Sequence, residues 1–407
     1  MDDKLARDGG KPVRKLKKQP FHEWPVHDER EIEALRQVVE SGNWGGFPSP
    51  NVQAAQFAEA FASHQGAAFG ICTSSGTAAI EVALKAAGLR PGDEVIIPAL
   101  TFVATAAAAL YMGAVPVFVD IDEGTWCLDP ARAEAAITPR TKAILPVHLG
   151  SRMADMDAIM DIARSHNLRV IEDCAHMQGG AWQGRGAGSI GDLGCFSFQN
   201  SKLMTAGEGG MVTTSDESLA SICHAYVDCG RLRPGDAAPT AQGIFGWNYR
   251  MTEFQAAVLR VQLERLPEQQ RVREANKAYL TERLQRIDGV ELLLKDDRMT
   301  TKSGYGFYFT YLSARCGGKS RDDFFIALRY EGIPASGAFY EAVYRDKLFA
   351  WRDMNTGVDY SNVSCPVAER AAYEQSVWLP HQIFLGPSED VDDVVLAIEK
   401  VAKAFRG

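Results

Sequence analysis

The sequence predicts an α/β fold with a mostly parallel sheet. Three observations carry that expectation. Between about residues 30 and 230, strand-like runs alternate with helical ones of a length that suits β-α-β units. The runs VII, AILPV and RVIE are nearly all apolar, as strands buried on both faces should be. From Met251 to about Arg286 one helical stretch dominates, and beyond it short strands mix with helices, the pattern of a smaller α+β unit.

Taken in order, Arg30–Ser41 reads as a helix, and so does Val52–His64, where Phe57 and Phe61 fall at i, i+4. FGICTSSGTAAIEVALKAAG reads as strand, turn and helix. EVIIP and PVFVDI are strands with a helix between them. A helix follows around Pro130–Ala136, then the strand KAILPVHL, the helix ADMDAIMDIARSHN and the strand RVIEDC. GCFSF and GGMVTT are two further strand-like runs. EFQAAVLRVQLERL keeps a helical period, and EQQRVRE after Pro267 reads as a solvated continuation leading to a second domain. GVELLL and GYGFYFTYL are strands of that domain, and SRDDFFIALRYEG and VDDVVLAIEKVAKAF are its helices. The expected division is an arm over 1–29, a large domain over 30–275 and a small domain over 276–407.

Bulk properties exclude several functions. With 407 residues, 46% of them hydrophobic and 23% charged, the chain can bury a large core. A net charge of −9 argues against nucleic acid as the main partner, because neutralising phosphates needs a basic surface. Val95–Val119 is uncharged for 25 residues, long enough for a membrane span. Pro98, Gly113 and Pro116 cut it, so it reads as strand, helix and strand, and no membrane partner is expected. The N-terminus has no apolar core of a signal peptide. The eight cysteines show no C-x-x-C spacing and no zinc-like cluster. They read as buried free thiols in a reducing, cytoplasmic setting with no metal.

Three segments bear chemistry. In TSSGTAAIEVAL, Ser74, Ser75, Gly76 and Thr77 sit where a strand turns into a helix, whose free N–H groups and dipole attract anions. Ser and Thr are also ordinary helix caps there. In RVIEDCAHMQGG, a buried strand ends in Glu172-Asp173, at the edge of the sheet where α/β proteins bind ligands. A carboxylate there can pair with a ligand nitrogen or simply cap a helix, and His176 follows three residues on. In CFSFQNSKLMTAGEGGMVTT, Ser197 lies five residues before Lys202, and Gly207-Glu208-Gly209-Gly210 supports a tight turn. A lysine at such a strand end can be desolvated into a nucleophile.

The ordered set SGT, ED-x-A-H, S-F-x-x-x-K and GEGG resembles the DegT/DnrJ/StrS sugar aminotransferases, which are fold-type-I enzymes dependent on pyridoxal 5'-phosphate (PLP). The resemblance runs from DGGKPVR through PALTFVATA and PVHLGSRMADMDAI to GWNYRMTEFQAAVL. It implies a large domain with a seven-stranded, mostly parallel sheet. It implies catalytic roles for Lys202, as the Schiff-base lysine and proton shuttle, and for Asp173, as the carboxylate that keeps the pyridine nitrogen protonated. Phe102 matches the aromatic that stacks on the ring, and His176 falls near the other face. Ser75, Gly76, Thr77 and Ser197 belong to the phosphate-binding set. Asn248 matches a residue lent to the neighbouring subunit, which implies a homodimer with shared sites.

The family's dehydratase branch carries His in place of the lysine, so Lys202 disfavours it. SFQNSKLMTAGEGG and CPVAERAAYEQSVWLPHQIFLG resemble the inosose aminotransferases and 3-amino-5-hydroxybenzoate synthase more than the nucleotide-sugar enzymes. An amino-acid donor, glutamine or glutamate, and a cyclic keto acceptor are implied. Nucleotide-linked keto sugars, a dehydratase/aminotransferase activity like that of 3-amino-5-hydroxybenzoate synthase, and a non-catalytic, PLP-binding regulatory role are the competing readings. A G-x-G-x-x-G string at Gly186, Gly188 and Gly191 leads into a strand rather than a helix, the wrong order for a dinucleotide site. Arg231 and Arg250 are candidates for gripping the donor's carboxylate.

Overall fold

The computed structural model describes residues 4–15, 21–49, 51–232, 243–337, 340–350 and 357–407. In chain order its main elements begin with helices α1 (Glu29–Ser41) and α2 (Val52–Gln65), strand β1 (Phe69–Thr73), α3 (Gly76–Ala86), β2 (Glu94–Pro98) and α4 (Val103–Tyr111). Next come β3 (Val115–Val119), α5 (Pro130–Ala135), β4 (Thr141–Ile144), α6 (Met156–His166) and β5 (Arg169–Asp173). The short pair β6 (Ala181–Trp182) and β7 (Arg185–Gly186) precedes β8 (Leu193–Ser197), β9 (Gly210–Thr214), α7 (Glu217–Val227) and the long α8 (Glu253–Leu284). The C-terminal part holds β10 (Val290–Leu292), β11 (Met299–Thr301), β12 (Phe307–Tyr311), α9 (Arg321–Tyr330), α10 (Pro366–Arg370), β13 (Ser376–Leu379) and α11 (Ser388–Arg406).

The main sheet has seven strands in the order β1-β9-β8-β5-β4-β2-β3. Only β9 runs antiparallel to its neighbours β1 and β8; the other pairings are parallel. The carboxyl ends of β1, β5 and β8 therefore open on one edge, and these are the strands that deliver Ser75, Asp173 and Ser197. The uncharged stretch Val95–Val119 resolves into β2, α4 and β3, and among the described residues no helix is long and apolar enough to cross a membrane.

Packing beneath β8 fixes how the site is presented. Phe57 and Phe61, one turn apart on α2, meet Phe196 and Phe198 in tilted and edge-on contacts with centroids 4.8–5.7 Å apart. All four rings are fully buried, each contributing about 2–3 kcal/mol of apolar burial. Side chains alternate across the strand, so anchoring Phe196 and Phe198 below turns Ser197 to the opposite face.

A second apolar core joins β12, β13, α9, α11 and the end of α8. The N-terminal segment is tied to it: Leu5 is part of this core, and Arg14 pairs with Asp390 at 2.6 Å and Asp393 at 2.9 Å. Helix α8 runs unbroken through Pro267. The reading of its second half as solvated is corrected, since Gln270, Arg273 and Asn276 are buried against the C-terminal part. Asn276 donates to the carbonyls of Phe384 and Gly386. The eight cysteines are all free thiols, but Cys229 is exposed rather than buried.

The glycine string finds its physical reason here. The N–H groups of Gly188, Ile190 and Gly191 converge on the carboxylate of Glu172 at 2.7–3.0 Å, and Nε2–H of His148 donates to it at 3.0 Å. The main chain must approach closely to do so; a Cβ on Gly186 would stand 2.0 Å from the Gln65 carbonyl oxygen. Burial acts to raise the Glu172 pKa, but the His148 bond and these N–H groups hold it below the ordinary glutamate range. His148, Glu172 and Cys174 bring possible metal-ligand atoms within 4.8 Å of one another. Hydrogen bonding already accounts for this group, because His148 Nδ1 accepts from Ala154 N–H and burial pushes the Cys174 thiol well up, keeping it protonated.

Glu172→Gln is therefore expected to destabilise the protein by about 2–4 kcal/mol, since an amide NH2 would face backbone donors. The urea midpoint of the holoenzyme measures it. Because the folded pKa lies below the unfolded one, the wild-type advantage is full above roughly pH 4.3 and fades as the pH falls further. An unchanged midpoint at neutral pH would contradict this role.

Candidate active site

The carboxyl edge of the sheet bounds a cavity of about 590 Å³. Ser75, Gly76, Thr77, Phe102, Asp173, His176, Ser197 and Lys202 all line it, so the structure brings together eight of the nine residues singled out from the sequence. Asn248 is absent from that lining; it lies beyond the cavity, bridged to Asp228. Arg231 and Arg250 are not in the cavity either. Both turn to Asp228, at 3.0 and 2.5 Å, which corrects their candidacy for a carboxylate grip within this chain.

At one end, Ser75 caps α3, its Oγ accepting from Ala78 N–H at 3.1 Å. The capping role and the anion-binding role are compatible, because the cap uses one N–H and leaves the first turn open. Gly76 is needed for space: a Cβ there would stand 2.7 Å from the Ser197 Cβ. Gly210 is needed for the same reason, with a Cβ 2.2 Å from the Ser75 carbonyl oxygen. The glycines of GEGG thus let β9 pass behind the turn.

At the other end, Asp173 is buried. Its Oδ1 accepts from Ala175 N–H at 3.1 Å and its Oδ2 from the Thr105 hydroxyl at 2.9 Å, with Thr101 at 2.8 Å from Thr105. Burial pushes the Asp173 pKa up, while the Ala175 N–H, the Thr105 hydroxyl and the charge of Lys202 pull against it. A cation facing this carboxylate favours its ionised form.

Between the two ends stands Lys202, its Nζ 5.2 Å from the centre of the Tyr305 ring. Burial lowers its pKa to about 8, against the opposing pull of Asp173. Its amine is thereby far more often neutral near pH 7 than an ordinary lysine's.

His176 is buried and kept neutral, with burial and the charge of Lys202 both lowering its pKa. Its Nδ1 accepts from Gly150 N–H at 3.2 Å, so Nε2 carries the proton and meets the Tyr340 hydroxyl at 3.2 Å. Its ring stacks on Tyr305 at 4.0 Å. Phe102, half exposed, tilts against Tyr340 at 5.6 Å.

Sequence reasoning missed the far wall: Tyr305, Tyr340, Trp378, His381 and Gln382, all from the C-terminal part. His381 Nε2 donates to the Ser201 carbonyl at 3.2 Å, and its Nδ1 accepts from Arg273 at 3.3 Å. The residue before Lys202 is thus tied to the C-terminal part.

The residues present fit PLP. An open helix start relieved of side chains at Gly76 suits a phosphate, a buried carboxylate suits a protonated ring nitrogen, and a buried amine of lowered pKa lies between them. Fold and cavity define a fold-type-I, PLP-dependent aminotransferase.

The particular family follows from comparison. The profile of the DegT/DnrJ/EryC1/StrS aminotransferase family matches residues 25–399, and the chain belongs to that family. It is 42% identical to a Streptoalloteichus tenebrarius protein provisionally named L-glutamine:3-amino-2,3-dideoxy-scyllo-inosose aminotransferase, over 99% of each chain. It is 39% identical to the L-glutamine:2-deoxy-scyllo-inosose aminotransferase of Micromonospora echinospora, over 98% of this chain and 97% of that one. The crystal structure of 3-amino-5-hydroxybenzoic acid synthase superposes with a TM-score of 0.83 at 37% identity, covering 95% of this chain and 98% of that one.

Proposed function

We propose that this aminotransferase moves the amino group of L-glutamine to a ketone on a cyclitol ring, as a step in making an aminocyclitol. The observation that carries the reading is the Lys202 amine, buried in the cavity at a pKa of about 8 beside the Asp173 carboxylate. The names of the relatives supply the substrate class. PLP, when bound, provides the electron sink for the charge released as the donor's α-proton leaves.

In this reading Lys202 would hold the cofactor through its side-chain amine, and the same amine, once free, would take and return the donor's proton as one general base and acid. Asp173 holds the positive charge on the ring nitrogen. Gly76, Thr77, Ser75 and Ser197 would seat the phosphate, Phe102 would cover the ring, and His176 would stay neutral beside it. Tyr305, Tyr340 and Trp378 offer aromatic faces to the C–H edges of a ring acceptor, with the hydroxyls and Gln382 as polar tips.

A homodimer completes the site, with Asn248 of each chain serving its neighbour. Support comes from aromatic side chains left open beside the phosphate seat: Tyr111, Trp247 and Tyr249 line a shallow hollow with Ser74, Ser75 and Thr77, and Phe245 next to them is 84% exposed. The arm (1–29), large domain (30–275) and small domain (276–407) remain our division of the chain. The free thiols suit a cytoplasmic enzyme.

The test is a panel of acceptors with glutamine as donor: scyllo-inosose and its deoxy and amino-deoxy forms against nucleotide-linked keto sugars. Turnover of at least one inosose at a kcat/KM ten or more times that of any nucleotide sugar supports the proposal. Turnover of nucleotide sugars alone refutes the cyclitol assignment.

A further inference from the structure

A second cavity, of about 540 Å³, lies apart from the catalytic one. It is enclosed by the loop after β4, the second half of α8, the segment after β10, and the start of β12. Most of its wall is apolar, with Leu292, Leu294, Met299, Phe307 and Tyr308 among the lining residues.

Of the cations set into this wall, Lys295 pairs with Asp297 at 2.5 Å, which leaves three: Arg152, Lys277 and Lys302. Among the described residues none of the three is in an ion pair. Lys277 Nζ donates, among the described residues, only to the Ser151 hydroxyl, at 2.8 Å. Arg152 donates to the carbonyls of Leu293 and Leu294. Among the described residues the Lys302 amine makes no hydrogen bond, although its backbone N–H donates to Glu274 at 2.8 Å. Of the three carboxylates on the wall, Asp296 pairs with Arg298 at 2.7 Å and Glu282 with Arg286 at 3.4 Å, while Glu274 accepts only the Lys302 backbone N–H among the described residues.

Three positive groups share the hollow with one carboxylate, Glu274, that is not paired elsewhere among the described residues, so positive charge is in excess there. Burial lowers the Lys277 pKa well below the ordinary lysine range, and Lys302, Arg152 and Arg273 lower it further, with only Glu274 opposing. An anion placed among them would relieve that repulsion, and a ring or chain attached to the anion would cover the leucines and Tyr308.

We propose that this cavity is a binding site for a small organic anion, with its charged head among Lys277, Lys302 and Arg152 and its apolar body against Leu292, Leu294 and Tyr308.

The site has a physical route to the catalytic cavity. The Ser151 hydroxyl that accepts from Lys277 donates to the Tyr305 carbonyl at 2.9 Å. The neighbouring Gly150 N–H bonds to His176, which stacks on Tyr305. Ser151 is itself held at φ +146°, a strained conformation for a residue with a side chain. An anion that draws Lys277 away from Ser151 acts directly on the segment that supports Tyr305 and His176. The site is thus suited to an effector.

The experiment uses the PLP-loaded enzyme and three probes, benzoate, phenyl phosphate and uncharged benzyl alcohol, with binding followed by calorimetry. One or both anions are expected to bind at least tenfold more tightly than the alcohol, and their relative affinities decide between a carboxylate and a phosphate head. Lys277→Met is expected to weaken anion binding at least tenfold and leave the alcohol unchanged. Lys302→Met changes an exposed side chain and guards against a folding defect in the first variant; it is expected to weaken anion binding several-fold. Anion affinity equal to that of the alcohol, or unaltered in both variants, would overturn the proposal. Because binding is read without turnover, that failure is separate from failure of the aminotransferase reading.

Discussion

Lys202→Ala is expected to leave a folded protein that has lost at least about four orders of magnitude in turnover. General acid–base transfer by one side chain contributes ~10²–10⁴, and the covalent hold on the cofactor adds to it. The loss should be equally visible in a single half-reaction with glutamine, because the same amine is used before the acceptor enters. Borohydride treatment of the wild type should fix the cofactor on the peptide containing position 202, and the variant should yield no such adduct there. The lowered pKa gives a second readout. The neutral amine is the nucleophile, and its fraction rises with pH, so capture of PLP by the apoenzyme should accelerate up to a midpoint near pH 8. An ordinary lysine would put that midpoint near ~10.4. At pH 7 the buried amine is neutral roughly two orders of magnitude more often. Normal turnover in the alanine variant would remove Lys202 from the chemistry.

The sequence made the alternation of strands and helices legible because strands buried on both faces have few other ways to look. The order of the motifs was legible too, since each sits where a strand ends. The choice between Glu172 and Asp173 was legible only through the family resemblance, not from the residues themselves. Adjacent residues on a strand face opposite ways, and only the packing of β5 decides that Glu172 turns to the glycine loop and Asp173 to the cavity. The glycine string, rightly set aside as a dinucleotide site, had no role legible in the sequence for a related reason: close backbone approach serves an internal carboxylate as well as a ligand phosphate. Tyr305, Tyr340 and His381 had no local signal, as they reach the cavity from the C-terminal core more than a hundred residues beyond Lys202. Arg273 was read as solvated because its neighbours are charged, yet the segment folds over it and leaves it fully buried.

Asp173→Asn is expected to keep the fold and retain PLP, yet slow the half-reaction with glutamine by about 10²–10³-fold. Asparagine is nearly the same size, and one of its atoms can still accept from Ala175 N–H or the Thr105 hydroxyl. What disappears is the negative charge. Removing one partner of a buried charge pair costs about 3–5 kcal/mol, and each ~1.4 kcal/mol is a factor of ten in rate if the penalty falls on the charged, proton-transferring state. Uniform weakening of cofactor binding would instead raise the PLP concentration needed without slowing the saturated enzyme. The two are separated by single-turnover rates at saturating cofactor and by the ¹⁵N shift of the ring nitrogen, which should move toward the unprotonated value in the variant. Lys202 supplies an independent check of sign. The Asp173 charge raises the Lys202 pKa against the larger effect of burial. Without that charge the pKa should drop below 8, and the midpoint for PLP capture should move to lower pH. A variant with the wild-type rate, ring-nitrogen shift and capture midpoint would show that the carboxylate at the end of β5 is only a helix cap.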